Sequence, residues 1–312
     1  MDQSSHLSFL CGIVALVLSG LEGSAAGQGL TDDSVGRAAN ALPAHSPYRQ
    51  TRPLNWPDGE IAFVVGNIEY LLVHEIAHLL ITEKNIPIIG PVENAADYIA
   101  TLALIREEPL DPAQRDRAAK FLLASAGAFS ASWQTGRALD AEVPYWGAHA
   151  LSIQRYYQIV CLLYGSDPAA FADVLEGARV TEAKGEGCIA EYARADQAVE
   201  WLLQNYGRKP GDPPGAATQI VYGRPPTTVS TSVLRELRSI ELLERVVGRL
   251  HERFTIEQPF ELVMRRCGQS EAAWIPERRE LVICYELVDT LYLLGRRANA
   301  LKDADPRGGS GR

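Results

Sequence analysis

Two histidines and a glutamate, His74, Glu75 and His78, form an HExxH motif inside an apolar stretch of the chain. On a helix, residues four apart lie one above the other on the same face, so both imidazoles can bind one metal ion. Glu75 follows the first histidine and can reach the same side, where a carboxylate can take a proton from an attacking water molecule. The motif therefore predicts a zinc site on a helix, with Glu75 as general base.

A second interpretation of the motif is a core helix whose two histidines are held by hydrogen bonds alone. An HExxH match can also arise by chance in a chain with six histidines. However, two histidines and a glutamate in one buried stretch would be costly without a partner, because buried polar groups lose their hydration. This cost favours the metal site.

A catalytic zinc site needs a third protein ligand and a fourth position open to water. The metzincin pattern would place Gly and His three and six residues after the second histidine, but Ile81 and Lys84 stand there. The alternative is a carboxylate on the next predicted helix, where Glu93 and Asp97 lie four apart on one face. Glu93 could bind zinc, and Asp97 could bond the outer nitrogen of a ligating histidine and fix its tautomer. Two alternatives stay open: Asp97 as the third ligand, and Glu93 as a carboxylate that stabilises a helix N-terminus.

An oxyanion formed during the reaction would need a hydrogen-bond donor. His149 is the preferred candidate catalytic residue, because it follows the aromatic pair Tyr145 and Trp146 on a predicted fourth helix. Arg155 and Tyr156 lie further along the same helix. Each of these side chains could equally be a packing or surface residue.

Residues 61–104 resemble a bacterial family of zinc metallopeptidases of uncharacterised function, related in motif to the gluzincins. The resemblance implies a zinc ion held by His74, His78 and Glu93. It also implies that Glu75 is the general base and acid, and that Asp97 supports a ligating histidine. It covers most of the mature chain and includes Gly66-Asn67, the HExxH motif, Pro87-x-x-Gly90, Glu93-x-x-x-Asp97, residues 154–168 and residues 284–287.

The composition describes a globular protein with an acidic surface. The chain has 312 residues, of which 46% are hydrophobic and 22% are charged, and its formal net charge is -9. This charge argues against a basic groove and therefore against nucleic acid as a partner. A peptide or protein substrate is the expected partner.

The first 26 residues are predicted to be an export signal. An apolar stretch at residues 7–21 is too short for a comfortable membrane span, and small residues at 24–26 suit cleavage. Asp2 and His6 stand where Lys or Arg is usual, so an uncleaved membrane anchor or a misassigned start is the alternative. The expected location is secreted or periplasmic, with no stable membrane span in the mature chain.

Four cysteines remain after such a signal, and their even number suits an oxidising compartment. The expected disulfides are Cys161–Cys188 and Cys267–Cys284, because each pair brackets one local unit of structure. Buried free thiols are the alternative. The cysteines lack CxxC spacing, which argues against a second, structural zinc site.

The predicted fold is α+β and predominantly helical, with a zincin-like active-site helix and a small β-sheet. Strands are predicted at 60–65, 219–222, 260–264 and 280–284. Helices are predicted at 68–84, 91–106, 112–129, 148–164, 168–178, 188–206, 232–253 and from 285 to about 299, with Asn67 as the N-cap of the first. The chain is predicted to begin with a signal peptide (1–26) and a flexible leader (27–58). One domain follows, made of a metallopeptidase-like helical core (59–208), a Pro- and Gly-rich connector (209–226) and a C-terminal helix-hairpin-helix part (227–304). A disordered tail (305–312) ends the chain.

The sequence thus predicts an exported zinc-dependent metallopeptidase. A catalytically inactive zinc-binding module that recognises peptides or proteins is the alternative, although such a module has no chemical need for Glu75. A third hypothesis is an exported structural domain held by its disulfides. A chelator would then change neither its stability nor its metal content.

Overall fold

The computed structural model describes residues 59–106 and 112–303. The predicted signal peptide, leader and tail lie outside the described residues. The helices are α1 (Glu60–Glu83), α2 (Val92–Ile105), α3 (Pro112–Ala138), α4 (Ser152–Ser166), α5 (Ala172–Gly177), α6 (Glu182–Tyr206), α7 (Thr228–Ser239), α8 (Leu242–Arg253) and α9 (Tyr285–Asp303). The strands are β1 (Thr218–Tyr222), β2 (Phe260–Arg265), β3 (Ala272–Ile275) and β4 (Glu280–Cys284). The predicted class, mostly helical with a small sheet, is confirmed.

Helix α1 begins two turns earlier than the sequence indicated, so the strand predicted at 60–65 is wrong. Gly59, at a φ of 83°, precedes the helix, and residues 60–65 form its first turns. Asn67 is not an N-cap, because it lies buried inside α1, where its Nδ2 donates to the carbonyl of Phe63 at 2.9 Å. Burial among other helices overrides the β propensity of this apolar stretch.

Other helix boundaries also differ from the prediction, including those of α5 and α6, which were predicted at 168–178 and 188–206. Helix α3 continues to Ala138, so residues 130–138 are helical rather than a loop. Helix α4 begins at Ser152, which leaves His149 in the preceding loop. The helix predicted at 232–253 is two helices, because Glu241 adopts a left-handed conformation with a φ of 49° between α7 and α8.

The four strands form one sheet in the order β1-β2-β4-β3. The other three of the four predicted strands are present as β1, β2 and β4, and they pair in parallel. The predicted hairpin between the second and third of them is therefore wrong. The sequence missed β3, which lies in their connection, pairs antiparallel with β4 and forms an edge of the sheet.

Helix α1 is the centre of the hydrophobic core. It packs against α2, α3, α7, α8 and α9 and against β3 and β4. Among the described helices it alone is long and apolar enough to cross a membrane, but most of it is buried inside the protein, as in the core helix of a folded domain. The core around it includes residues from Phe63 to Ala298. The C-terminal sheet therefore packs on the helix that carries the HExxH motif.

Two disulfides join neighbouring elements, and both match the predicted pairing. Cys161–Cys188 links α4 to α6, and Cys267–Cys284 links the loop after β2 to the end of β4.

Candidate metal centre

The two histidines of the motif project from the middle of α1 towards α2. The side chain of His74 is fully buried and that of His78 is 14% exposed. Their Nε2 atoms lie 3.1 Å apart, as the spacing of four residues on one helix face predicts. Helix α1 therefore presents two imidazole nitrogens to a single point.

Glu93 reaches the same point because the chain reverses between α1 and α2. Asn85 and Gly90 in this connection adopt φ values of 49° and 99°, which turn the backbone after the last residues of α1. Glu93 then lies in the first turn of α2. Its Oε2 is 3.2 Å from His74 Nε2 and 3.1 Å from His78 Nε2.

This triangle of atoms has the dimensions of a tetrahedral metal site. Ligand atoms at 2.0–2.1 Å from a zinc ion lie roughly 3.3 Å apart. The carboxylate of Asp97 lies 2.9 Å from His74 Nδ1, although the contact does not meet hydrogen-bond geometry. Its negative charge favours the neutral imidazole that carries its proton on Nδ1, with the lone pair of Nε2 towards Glu93. Lone pairs of nitrogen and a carboxylate oxygen repel one another at this distance unless a proton or a metal ion lies among them. The three residues therefore fit a metal ion.

The carboxylates around His74 favour a positive charge on its imidazole. Burial alone would lower the pKa of His74, but the carboxylates of Asp97 and Glu93 raise it to about 9. Burial would raise the pKa of Glu93, but its histidine contacts, led by His149, lower it far below its ordinary value. The two carboxylates thus favour a positive charge on His74.

Asp97 is buried and connects the ligand residues to the rest of the domain. Its Oδ1 accepts a hydrogen bond from the hydroxyl of Tyr70 at 2.9 Å, and its Oδ2 accepts one from Nε of Arg155 at 2.7 Å. Burial would raise the pKa of Asp97, but the Arg155 guanidinium and His74 lower it far below its ordinary value. Asp97 is thus a permanently charged anchor for His74, held by groups on α1 and α4.

Glu75 is also buried, and it contacts the sheet. Its Oε2 accepts the backbone N–H of Trp274 on β3 at 2.9 Å, and its Oε1 is buried without a hydrogen-bond partner among the described residues. Burial raises the pKa of this carboxyl above its ordinary value. One oxygen of Glu75 is therefore positioned by the sheet, and the other is buried without a partner among the described residues.

His149 approaches the cluster from the loop before α4 rather than from the predicted helix. Its Nε2 is buried and lies 2.8 Å from Glu93 Oε2, but the contact is too bent for a hydrogen bond. The ligand-type atoms of His74, Glu93 and His149 all lie within 4.8 Å of one another. His149 therefore stands beside the candidate metal ion, close enough either to bind it or to contact a group bound next to it.

A cleft of about 760 Å³ opens beside these residues. His74, Glu75 and His149 lie on one side of it. Its other walls are largely apolar and include Phe129, Leu287 and Leu291, together with Arg155, Glu271 and Ala272.

The structure brings together all six site residues named from the sequence: His74, Glu75, His78, Glu93, Asp97 and His149. No sequence pattern indicated the contacts that hold two of them. Tyr70 and Arg155 bond to Asp97, and the N–H of Trp274 bonds to Glu75. The helical spacing of four between Tyr70 and His74 is the one local signal that could have indicated Tyr70.

Comparison with known proteins places the chain in a family. No curated protein and no solved structure matches it. A family described as "Putative metallopeptidase" matches residues 46–203 and 222–307, which is well over half of the chain and includes the whole cluster around Glu93. A metallopeptidase family implies a bound metal, and His74, Glu93 and His149 form a group that could hold one. The chain therefore belongs to this family, DUF4344.

Proposed function

We propose that this protein is an exported zinc-dependent peptidase that hydrolyses peptide bonds with Glu75 as general base. The observation that carries the proposal is the convergence of His74 Nε2, His78 Nε2 and Glu93 Oε2 at 3.1–3.2 Å from one another. Two histidines and one carboxylate are a ligand set of catalytic zinc sites, which keep a further position open. Zinc bound there would polarise the scissile carbonyl and make the attacking water more acidic.

Glu75 has the surroundings of a residue that accepts and returns a proton. Its raised pKa brings the carboxyl closer to the neutral range in which a general base works best. The Trp274 N–H fixes Oε2, so Oε1 can take the proton from water and pass it to the leaving amine.

His149 is suited to the oxyanion. It is a buried imidazole next to Glu93, and its Nε2 has no hydrogen-bond partner among the described residues. A donor fixed in this way, in a site with little water, stabilises charge that develops on the carbonyl oxygen.

Strand β3 forms an edge of the sheet, and its first residue, Ala272, lines the cleft. The N–H of Cys284 donates to the carbonyl of Glu271, and bonded pairs alternate along an antiparallel ladder. Ala272 and Trp274 therefore turn their backbone groups away from β4, and the N–H of Trp274 indeed meets Glu75.

The two disulfides support an exported location, because structural disulfides persist in oxidising compartments.

The test combines metal content with turnover. Purified protein should contain about one zinc ion per chain and cleave members of a peptide library. Glu75→Gln should keep the zinc and lose at least about a hundredfold in kcat, since general-base catalysis contributes roughly 10²–10⁴-fold. His251→Ala, at a histidine outside the cluster, is the matched control and should keep both properties. Protein without zinc, or an unchanged kcat in Glu75→Gln, would contradict the proposal.

One observation favours a second function, a zinc-binding module without turnover. His149 Nε2 lies near enough to Glu93 to be a fourth protein ligand, and four protein ligands close a zinc site. In that case zinc would be present in full occupancy, and no member of the library would be cleaved.

A further inference from the structure

A second cavity lies on the side of α1 that faces away from the metal centre. It contains about 900 Å³ of empty space, part of which is open to solvent. Val73, Ile76 and Leu80 of α1 form its floor, and α2, α6 and α8 form its walls. The helical positions of these three residues lie nearly opposite those of His74 and His78.

The lining of this cavity is almost entirely aliphatic or aromatic. Besides the floor, it is formed by residues such as Ile99, Leu203 and Phe254. Its walls offer few groups that could bond a peptide backbone, and buried backbone N–H and C=O groups without partners are costly. An apolar chain without internal polar groups fits this interior better than a peptide does.

Three arginines stand around the cavity, in a protein whose formal net charge is -9. Arg106 contacts Asp196 and Glu200, and Arg249 contacts Glu69. Arg253, exposed in the last turn of α8, makes no side-chain hydrogen bond or ion pair with the residues of 59–106 and 112–303. Its guanidinium is therefore the cationic group that a ligand's anionic end can reach.

We propose that this cavity binds one free fatty acid, with the hydrocarbon chain among the four helices and the carboxylate at Arg253. A guanidinium binds a carboxylate through paired, charge-assisted hydrogen bonds, and burial of each methylene adds to affinity. The site is separate from the metal centre and does not depend on peptidase activity. Because its floor is the back of α1, a bound chain contacts Val73, the residue before His74.

The test measures binding of dodecanoate to the purified, disulfide-bonded protein by calorimetry and by displacement of a fluorescent fatty acid. Wild-type protein should bind one dodecanoate per chain, with or without zinc. Arg253→Gln should weaken binding about tenfold, the loss of one charge-assisted contact. Arg235→Gln, at an exposed arginine on α7 outside the cavity, is the control and should bind as wild type does. Dodecan-1-ol should bind more weakly than dodecanoate, and its affinity should be the same for Arg253→Gln and for wild type.

Two variants fill the cavity from opposite walls. Ala103→Trp on α2 and Val199→Trp on α6 should each abolish binding, and circular dichroism checks that each is folded. The proposal is overturned if dodecanoate shows no saturable binding below its micelle concentration. It is equally overturned if both folded tryptophan variants bind normally, if Arg253→Gln changes nothing, or if the protein binds anionic phospholipid vesicles but not the free acid.

Discussion

Individual side chains around Glu93 decide whether this site turns over a substrate or only holds an ion. His149 is the residue on which the two possibilities differ. As an oxyanion donor it contacts the substrate and leaves metal binding to the other three residues. As a fourth ligand it contributes directly to metal affinity and leaves no open position.

Replacement of His149 separates these roles. We expect His149→Ala to keep its zinc and to lose about 10²–10³ in kcat, which is the usual cost of removing one oxyanion donor. Zinc content and peptide cleavage are measured on the same preparation, with His251→Ala as the control. A variant that loses zinc in parallel with activity would assign His149 to the metal instead.

The candidate ligand residues could be named from the sequence because they lie close together along the chain. His74, His78 and Glu93 occupy two consecutive helices, and their spacing is set by helix geometry and one short turn. The partners that orient them are distant in sequence. Arg155 lies 58 positions after Asp97, and Trp274 lies 199 positions after Glu75. No local pattern marks such pairs, because their contact depends on how the whole domain packs.

Among the elements, α1 and α3 approach closely at Gly66. A Cβ on Gly66 would lie 2.9 Å from Cα and 3.0 Å from the carbonyl oxygen of Phe121. These are backbone atoms, so α3 can make room only by moving as a whole. The small residue in α1 is therefore a packing requirement of the helix that carries the metal site.

A methyl group at this position should destabilise the fold. We expect Gly66→Ala to lower the free energy of unfolding by about 1–3 kcal/mol, the usual cost of overpacking a core. The control is Gly248→Ala in α8, where an added Cβ meets no atom within 4 Å. That substitution should stabilise the protein by roughly 0.5–1 kcal/mol, since alanine is the better helix former. Urea unfolding of both variants provides the measurement, and a neutral Gly66→Ala would show that α3 adapts.

The elements that the sequence misjudged are those whose state depends on tertiary packing. Residues 60–65 are apolar enough for a buried strand, and only their position inside the helical core makes them helical. Residues 232–253 keep an amphipathic pattern across Glu241, so the break there has no compositional signal. β3 contains two alanines, which favour strands weakly, and was therefore missed. Strands β1, β2 and β4 are rich in β-branched or aromatic residues and were predicted.

For the molecule as a whole, the metal centre joins parts of the domain that are distant in the chain. Its residues come from α1, α2 and the loop before α4, and Asp97 and Glu75 extend it to α4 and the sheet. An ion bound at this point binds the folded chain and not the unfolded one, so it stabilises the fold by mass action.

Removal of metal should therefore lower thermal stability. We expect a chelator to lower the Tm and zinc to restore it, with a gain of roughly 2.7 kcal/mol when free zinc is one hundred times its Kd. Calcium, which prefers oxygen ligands, serves as the control ion and should not restore the Tm. A Tm that is indifferent to chelation and to zinc would favour a domain held by its two disulfides alone.

The proposed metal ligands lie far along the chain from the residue that orients Glu75. All three proposed ligands are synthesised within one short stretch, whereas the backbone amide that orients Glu75 comes from β3, close to the C-terminus. A nascent or truncated chain that ends before β3 would already carry the means to capture metal, yet its general base would lack the anchor supplied by Trp274. Competence for the proposed hydrolysis would thus wait until β3 has been synthesised and has folded onto α1.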